Sequence, residues 1–126
     1  MPKSLSQKSC NTKKDIKIRT QKFAVYVIKL CEEFKKKNVD FVLVKQLLRS
    51  GTSVGANVRE GKASGTKKEL IRYYEIALRS ANETDYWMDI IKEGYQQINF
   101  EILETHKKEL SEICKVLATI IINLKK

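Results

Sequence analysis

The sequence predicts an all-α chain, an antiparallel up-down-up-down four-helix bundle. Three observations lead there. Apolar residues recur at alternating three- and four-residue steps through four long segments, the period that gives a helix one apolar face. One proline and five glycines in 126 residues leave helical backbone little interrupted. Capping residues stand where the stripes begin, and the connections between stripes are short, which favours antiparallel neighbours. The length suits one domain with a real core. Residues 1–14 read as a basic, polar, disordered arm, and 15–126 as the bundle domain.

The first helix is expected from Asp15 to about Lys37. Its stripe is Ile16, Phe23, Val27, Leu30 and Phe34, with Ala24, Ile28 and Cys31 beside it. The lysines at 35–37 suit the negative pole of the helix dipole, and Asn38 suits a C-terminal cap. Asp40 is the expected N-cap of the second helix, whose stripe is Val44, Leu47, Leu48, Gly51, Val54, Gly55 and Val58. Gly51 and Gly55 lie one turn apart on that face. A glycine within a helix costs about 1 kcal/mol relative to alanine, so close approach of a neighbouring helix is the expected compensation. Gly61 is expected at the end of this helix as a left-handed stop.

The third helix opens on a capping box, Thr66-Lys67-Lys68-Glu69. Its stripe reads Ile71, Tyr74, Leu78, Ala81, Asp85, Met88, Lys92 and Tyr95, with Leu70, Ala77, Thr84, Trp87 and Ile91 as a second flank. At roughly 28–30 residues it would span about 40–45 Å. That length and the wide apolar flanks predict self-association. Asn99 caps the fourth helix, which carries Leu103, His106, Leu110, Ile113, Leu117, Ile120 and Leu124.

Little in the chain suggests catalysis. The stretch "GANVREGKAS", with Gly55, Gly61 and Lys62, resembles a phosphate loop but puts five residues between its glycines and Ala63 after the lysine. A phosphate loop needs four residues there and a hydroxyl next to the lysine. The lone histidine, His106, is a seam residue with no nucleophile or paired base identifiable around it. No histidine, glutamate or cysteine spacing suits a metal, and no cofactor is expected. Asp85 and Asp89 lie one turn apart; pairing of Asp85 with a basic or hydroxyl group across a seam is preferred to acid–base work. Cys10, Cys31 and Cys114 are an odd set without paired spacing, read as reduced thiols of a cytoplasmic protein. No apolar run is long enough to span a bilayer, and the first fifteen residues lack the apolar segment of a secretory signal. The chain therefore reads as neither an enzyme nor a membrane protein.

A polar row on the second helix, Ser50, Ser53, Asn57, Glu60 and Ser64, recurs at three and four residues beside the glycine-bearing seam. Such a row fixes helix register by mutual hydrogen bonding; contact with a ligand is the alternative.

The charge is uneven. Residues 1–62 hold 15 Lys and Arg against 5 Asp and Glu, whereas 63–126 hold 10 of each, so the first half carries the whole excess of +10. Lys13, Lys14, Lys17, Arg19 and Lys22 lie in the arm and the first turns of helix one. Arg59, Lys62, Lys67, Lys68 and Arg72 flank the second connection. In an antiparallel bundle helix one starts where helix two ends, so both groups share one end. A dense cationic end suits a phosphate backbone; a merely solvated basic end is the alternative.

Residues 53–88, "SVGANVREGKASGTKKELIRYYEIALRSANETDYWM", resemble the bacterial four helix bundle protein family, also called the ribosomal-RNA intervening-sequence proteins. Ser53, Val54, Asn57, Val58, Glu60 and Gly61 match its first motif. Lys68, Leu70, Ile71, Tyr74, Ile76, Ala77, Ser80 and Glu83 match the second, and the likeness extends over about residues 15–124. Gly55-Ala56 within the first motif, and Arg59 where a small residue is common, depart from it. The resemblance implies an antiparallel four-helix bundle assembling as a homopentamer and associating with ribosomal RNA or the ribosome. A related branch, the accessory variability proteins of diversity-generating retroelements, resembles a basic pentamer that holds a reverse transcriptase and nucleic acid. The expected function is thus a non-enzymatic, oligomeric, nucleic-acid-binding accessory protein that contacts RNA or DNA backbone without sequence specificity. A ribosome-associated or protein-recruiting scaffold is the alternative. Ser53, Gly55, Asn57, Glu60, Gly61, Ser80, Glu83 and Asp85 are assigned to the structural seam.

Overall fold

The computed structural model describes residues 15–126; the 1–14 arm, with Lys13 and Lys14, lies outside them. Four helices follow one another: α1 (Asp15–Lys36), α2 (Phe41–Ala63), α3 (Lys67–Gly94) and α4 (Phe100–Lys125), with no strand among the described residues. Each packs on its neighbours in chain order, and α4 closes lightly onto α1; the backbones of the diagonal pairs stay further apart. This is the all-α four-helix bundle that the stripes predict.

Local chemistry sets the helix ends. Asn38 takes a positive φ of 62°, the left-handed geometry in which a short amide is tolerated, and α1 stops there. Asp40 accepts a hydrogen bond from the Val42 N–H at 2.8 Å, and Thr66 accepts one from the Glu69 N–H at 3.1 Å. Asn99 accepts from the Glu101 N–H at 2.9 Å to start α4. The Tyr95 hydroxyl accepts from the Asp40 N–H at 3.0 Å, tying the two loops at this end together.

The core follows the apolar steps: Ile16, Phe23, Val27, Leu30 and Phe34 from α1, then Val44, Leu47, Val54 and Val58 from α2. From α4 come Leu103, Leu110, Ile113, Leu117 and Ile120. In α3 the buried seam is Tyr74, Ala77, Ala81, Thr84, Met88 and Ile91. The expected stripe supplies Tyr74, Ala81 and Met88 of it, and the expected second flank supplies Ala77, Thr84 and Ile91. Asp85 and Lys92 turn instead to the α4 flank, because a charge is costly to bury without a partner and α4 supplies one for each. Ile28, expected beside the core, is exposed, whereas Thr20 is fully buried.

The glycines explain how closely α1, α2 and α3 approach. A Cβ on Gly51 would lie 2.9 Å from both Val27 methyls, and one on Gly55 would lie 3.2 Å from the Thr20 carbonyl oxygen. Thr20 fits beside Gly55 because its hydroxyl donates back to the Ile16 carbonyl at 2.7 Å, leaving no polar atom stranded. Gly61 corrects the expectation. No glycine has a positive φ, and Gly61 lies inside α2, which runs on to Ala63 and caps at Ser64. A Cβ there would meet the Tyr74 ring at 3.0 Å, so Gly61 is a third notch, cut for an aromatic on α3.

Candidate nucleic-acid interface

Antiparallel order brings the start of α1, the end of α2, the start of α3 and the end of α4 to one end of the bundle. Lys17 and Arg59 line one groove there with Gln21, Ala24, Thr52, Gly55 and Ala56, and it encloses about 310 Å³. The Arg59 guanidinium donates to the Gln21 side-chain carbonyl at 2.7 Å, which holds it over α1. Round the bundle from this groove, Lys62 and Lys67 line a cleft of about 330 Å³ between the α2–α3 connection and the C-terminal turns of α4. Its remaining walls are Gly61, Ser64, Gly65 and Thr66, over Leu70, Tyr74, Ile120 and Leu124.

The other expected contacts divide. Lys22 lies on the outward face of α1, in a shallow hollow with Ile18, Val25 and Tyr26. Lys68 is exposed. Arg72 lies 3.6 Å from Glu69 and 5.3 Å from the centre of the Tyr73 ring, a cation–π distance. Arg19 is committed elsewhere: its guanidinium grips Glu109 of α4 with two hydrogen bonds of 2.8 and 2.9 Å. A bidentate, partly buried pair of this kind holds α1 against α4. Sequence periodicity did not distinguish Arg19 from its neighbours, because the partner is 90 residues away.

The seam residues also separate. The Thr84 and Ser50 hydroxyls hydrogen-bond at 3.0 Å, with the Thr84 proton given to the Ser80 carbonyl at 2.7 Å; Ser80 donates to Ser53 at 3.1 Å, while the Asn57 amide donates to the Ser53 carbonyl at 2.8 Å and to its hydroxyl at 3.1 Å. These groups satisfy one another across the α2–α3 seam, and no buried side-chain polar atom among the described residues lacks a partner. Glu83 caps the row, accepting from the Trp87 indole at 3.0 Å and pairing with Arg49 of α2. The Trp87 hydrogen bond, opposed by burial and aided by Arg49, holds its carboxyl below the usual range. Glu60, assigned to this seam from its spacing, instead faces solvent. Asp85 pairs with a basic residue across a seam, as expected, and that seam is α3–α4. With Asp89 it receives the Lys107 ammonium at 2.5 and 2.6 Å. Burial pulls that ammonium's pKa down, but the two carboxylates outweigh it and raise the value above normal.

His106 is half-buried, edge-on to Tyr26 at 5.9 Å, with Nδ1 2.7 Å from the Ile102 carbonyl oxygen. Cys31 is buried under α2, its thiol pushed up to about 11 by burial despite the nearby Lys35 charge. Among the described residues no cluster of His, Cys, Asp or Glu is placed to hold a metal, and no helix is long and apolar enough to cross a membrane. Sequence reasoning missed the apolar floor under the lysines. Ile120 and Leu124 were read as core of α4, and only the antiparallel return of that helix shows which connection they face.

Residues 12–119 match the model of the family described as 23S rRNA-intervening sequence protein. A crystal structure from Bacteroides thetaiotaomicron, of a protein with unknown function from the S23 ribosomal protein family, is similar at 37% identity and a TM-score of 0.80. The likeness covers 84% of this chain and 97% of that one. No curated protein matches the chain.

Proposed function

Because this chain belongs to the 23S rRNA-intervening sequence protein family, we propose that it is a non-enzymatic accessory protein that binds nucleic acid through the phosphate backbone at its basic bundle end. The observation that carries this reading is the pairing of cations from separate helices around two hollows towards one end of the bundle, Lys17 with Arg59 and Lys62 with Lys67. Phosphates follow one another along a strand, so two cationic hollows towards one end can engage charges of the same strand. The family's link to ribosomal RNA makes RNA the first substrate to try. Lys22, Lys68 and Arg72 extend the same end; Arg19 supports it by fixing α1. Self-association as a homopentamer repeats the patch and multiplies its avidity. Titration of a labelled single-stranded RNA at two salt concentrations tests the reading: binding at low salt that falls steeply with added salt supports it, and no binding at low salt sinks it.

A second reading rests on the opposite end. There Phe41 and Val42 at the start of α2 are 65% and 63% exposed, with Phe100 at the start of α4 also exposed. Apolar groups so exposed suit a protein surface. On this reading the chain recruits a protein, such as a reverse transcriptase or a ribosomal protein, and meets nucleic acid only through it. A pull-down that recovers one protein after nuclease treatment favours this; recovery that vanishes with nuclease favours the first.

A further inference from the structure

Resting on the backbone-binding reading, we infer that the cleft between the α2–α3 connection and the end of α4 accepts an unstacked base, so that the basic end takes single strands in preference to duplex. The cleft has two chemistries. Its rim carries Lys62 and Lys67, and its floor is Leu70, Tyr74, Ile120 and Leu124. Its volume of about 330 Å³ is at the small end of ordinary ligand sites, which start near 300 Å³.

A phosphate backbone uses only the rim. Phosphates stay hydrated and gain nothing from leucine and isoleucine, so a surface meant only for backbone would have no use for an open apolar floor at this place. A nucleotide carries both parts: a charged phosphate and a flat, largely apolar base that leaves water willingly for an apolar or aromatic surface. Charge complementarity thus fixes the phosphate on the lysines, and the linked base falls over the floor. In a duplex the bases are paired and stacked, and bringing one out costs unstacking energy. A single strand offers it directly.

Two features keep the cleft open. Gly61 lets Tyr74 settle against α2, with a hypothetical Cβ only 3.0 Å from its ring. Gly65 leaves the wall bare: a Cβ there would meet nothing within 4 Å, and its φ is not positive. A side chain at 65 is therefore tolerated by the fold, and a leucine there is long enough to lean over the cleft that Gly65 helps to line.

The test uses the full chain and three fluorescent probes of equal phosphate number at low salt: a thymidine single strand, the same strand made of abasic sites, and a duplex. The single strand is expected to bind about tenfold more tightly than the abasic strand, as loss of one stacked base implies, and also more tightly than the duplex. Gly65→Leu, with unchanged helical circular dichroism, should bring the single strand down to the abasic affinity and leave abasic binding unaltered. Equal binding of all three probes overturns the base site while leaving backbone binding standing. A preference that survives Gly65→Leu overturns this cleft as its source. Failure of every probe to bind overturns the backbone reading itself, and the base site with it.

Discussion

Gly51 offers the sharpest test of how α1 and α2 are held together. In an isolated helix, Gly51→Ala would stabilise by about 1 kcal/mol, because alanine loses less backbone freedom on folding. In this bundle the new methyl would stand 2.9 Å from both Cγ atoms of Val27 and 3.2 Å from its Cβ. Val27 is fully buried, and its β-branched side chain in a helix has essentially one rotamer in which to sit. It cannot swing away, so α1 and α2 must part. Overpacking of this kind costs about 1–3 kcal/mol. The net expectation is a loss of about 1 kcal/mol. Val27→Ala alone should cost about 2 kcal/mol through the cavity it leaves. In the Val27→Ala background the two Cγ contacts are gone and only the 3.2 Å approach of the Cβ remains, so Gly51→Ala should then become stabilising, by somewhat less than about 1 kcal/mol. The sign reverses, and the reversal is the coupling energy of a double-mutant cycle. Urea denaturation followed by circular dichroism measures all four proteins at one fixed concentration, since self-association would make stability depend on concentration. If Gly51→Ala stabilises the wild-type background, the close α1–α2 approach is not what the glycine serves.

Other expectations follow from the polar seams. Ser50→Ala leaves the buried Thr84 hydroxyl its bond to the Ser80 carbonyl at 2.7 Å, so the expected loss is modest, about 1 kcal/mol by thermal melting. Lys107→Ala leaves Asp85 and Asp89 facing each other without their shared cation and should cost about 1–2 kcal/mol in urea. The Lys107 ammonium is raised above its ordinary 10.5, so its stabilisation is present below that pH and is lost only as pH climbs through the higher folded value. The difference between wild type and Lys107→Ala should hold from pH 6 to 9. Glu83 titrates in the opposite sense. Its folded pKa is depressed, so its stabilisation is present above the ordinary carboxylate value of 4.5 and disappears as pH falls through the folded one. Melts of wild type and Glu83→Gln should therefore converge in acid and separate toward neutral pH. For assembly, light scattering should give five times 14.6 kDa, about 73 kDa; a 14.6 kDa species would reject the pentamer.

Much of the bundle was legible because burial in helices repeats. The first and fourth stripes run along the core nearly residue for residue, and the caps at Asp40, Thr66 and Asn99 act where side-chain chemistry requires. The misreadings have a common cause. Asp85 pairs across a seam with a basic residue as expected, but its place on the α3 stripe, like those of Lys92 and Arg19, is set by a partner on another helix, whereas Glu60 turns to solvent. Lys107, Glu104 and Glu109 make that choice for Asp85, Lys92 and Arg19, and nothing in local spacing announces them. Gly61 was misread for a related reason. Near a helix end, glycine serves either a left-handed turn or a close neighbour, and Tyr73 and Tyr74 decide for the neighbour. The basic end was readable from topology alone, but its apolar cleft was not, since it needs the last turns of α4 to lie over the α2–α3 connection.

Binding of a nucleic-acid backbone at the basic end, as proposed, must show in the salt dependence of affinity. The most direct measurement is the slope of log Kd against log salt for one single-stranded RNA, taken for the wild type and for a variant with Lys17, Arg59, Lys62 and Lys67 each changed to glutamine. Each phosphate contact on a single strand contributes about 0.7 to that slope. The variant should bind more weakly, with a slope shallower by about 2–3. Equal slopes for the two proteins would contradict backbone binding at this end.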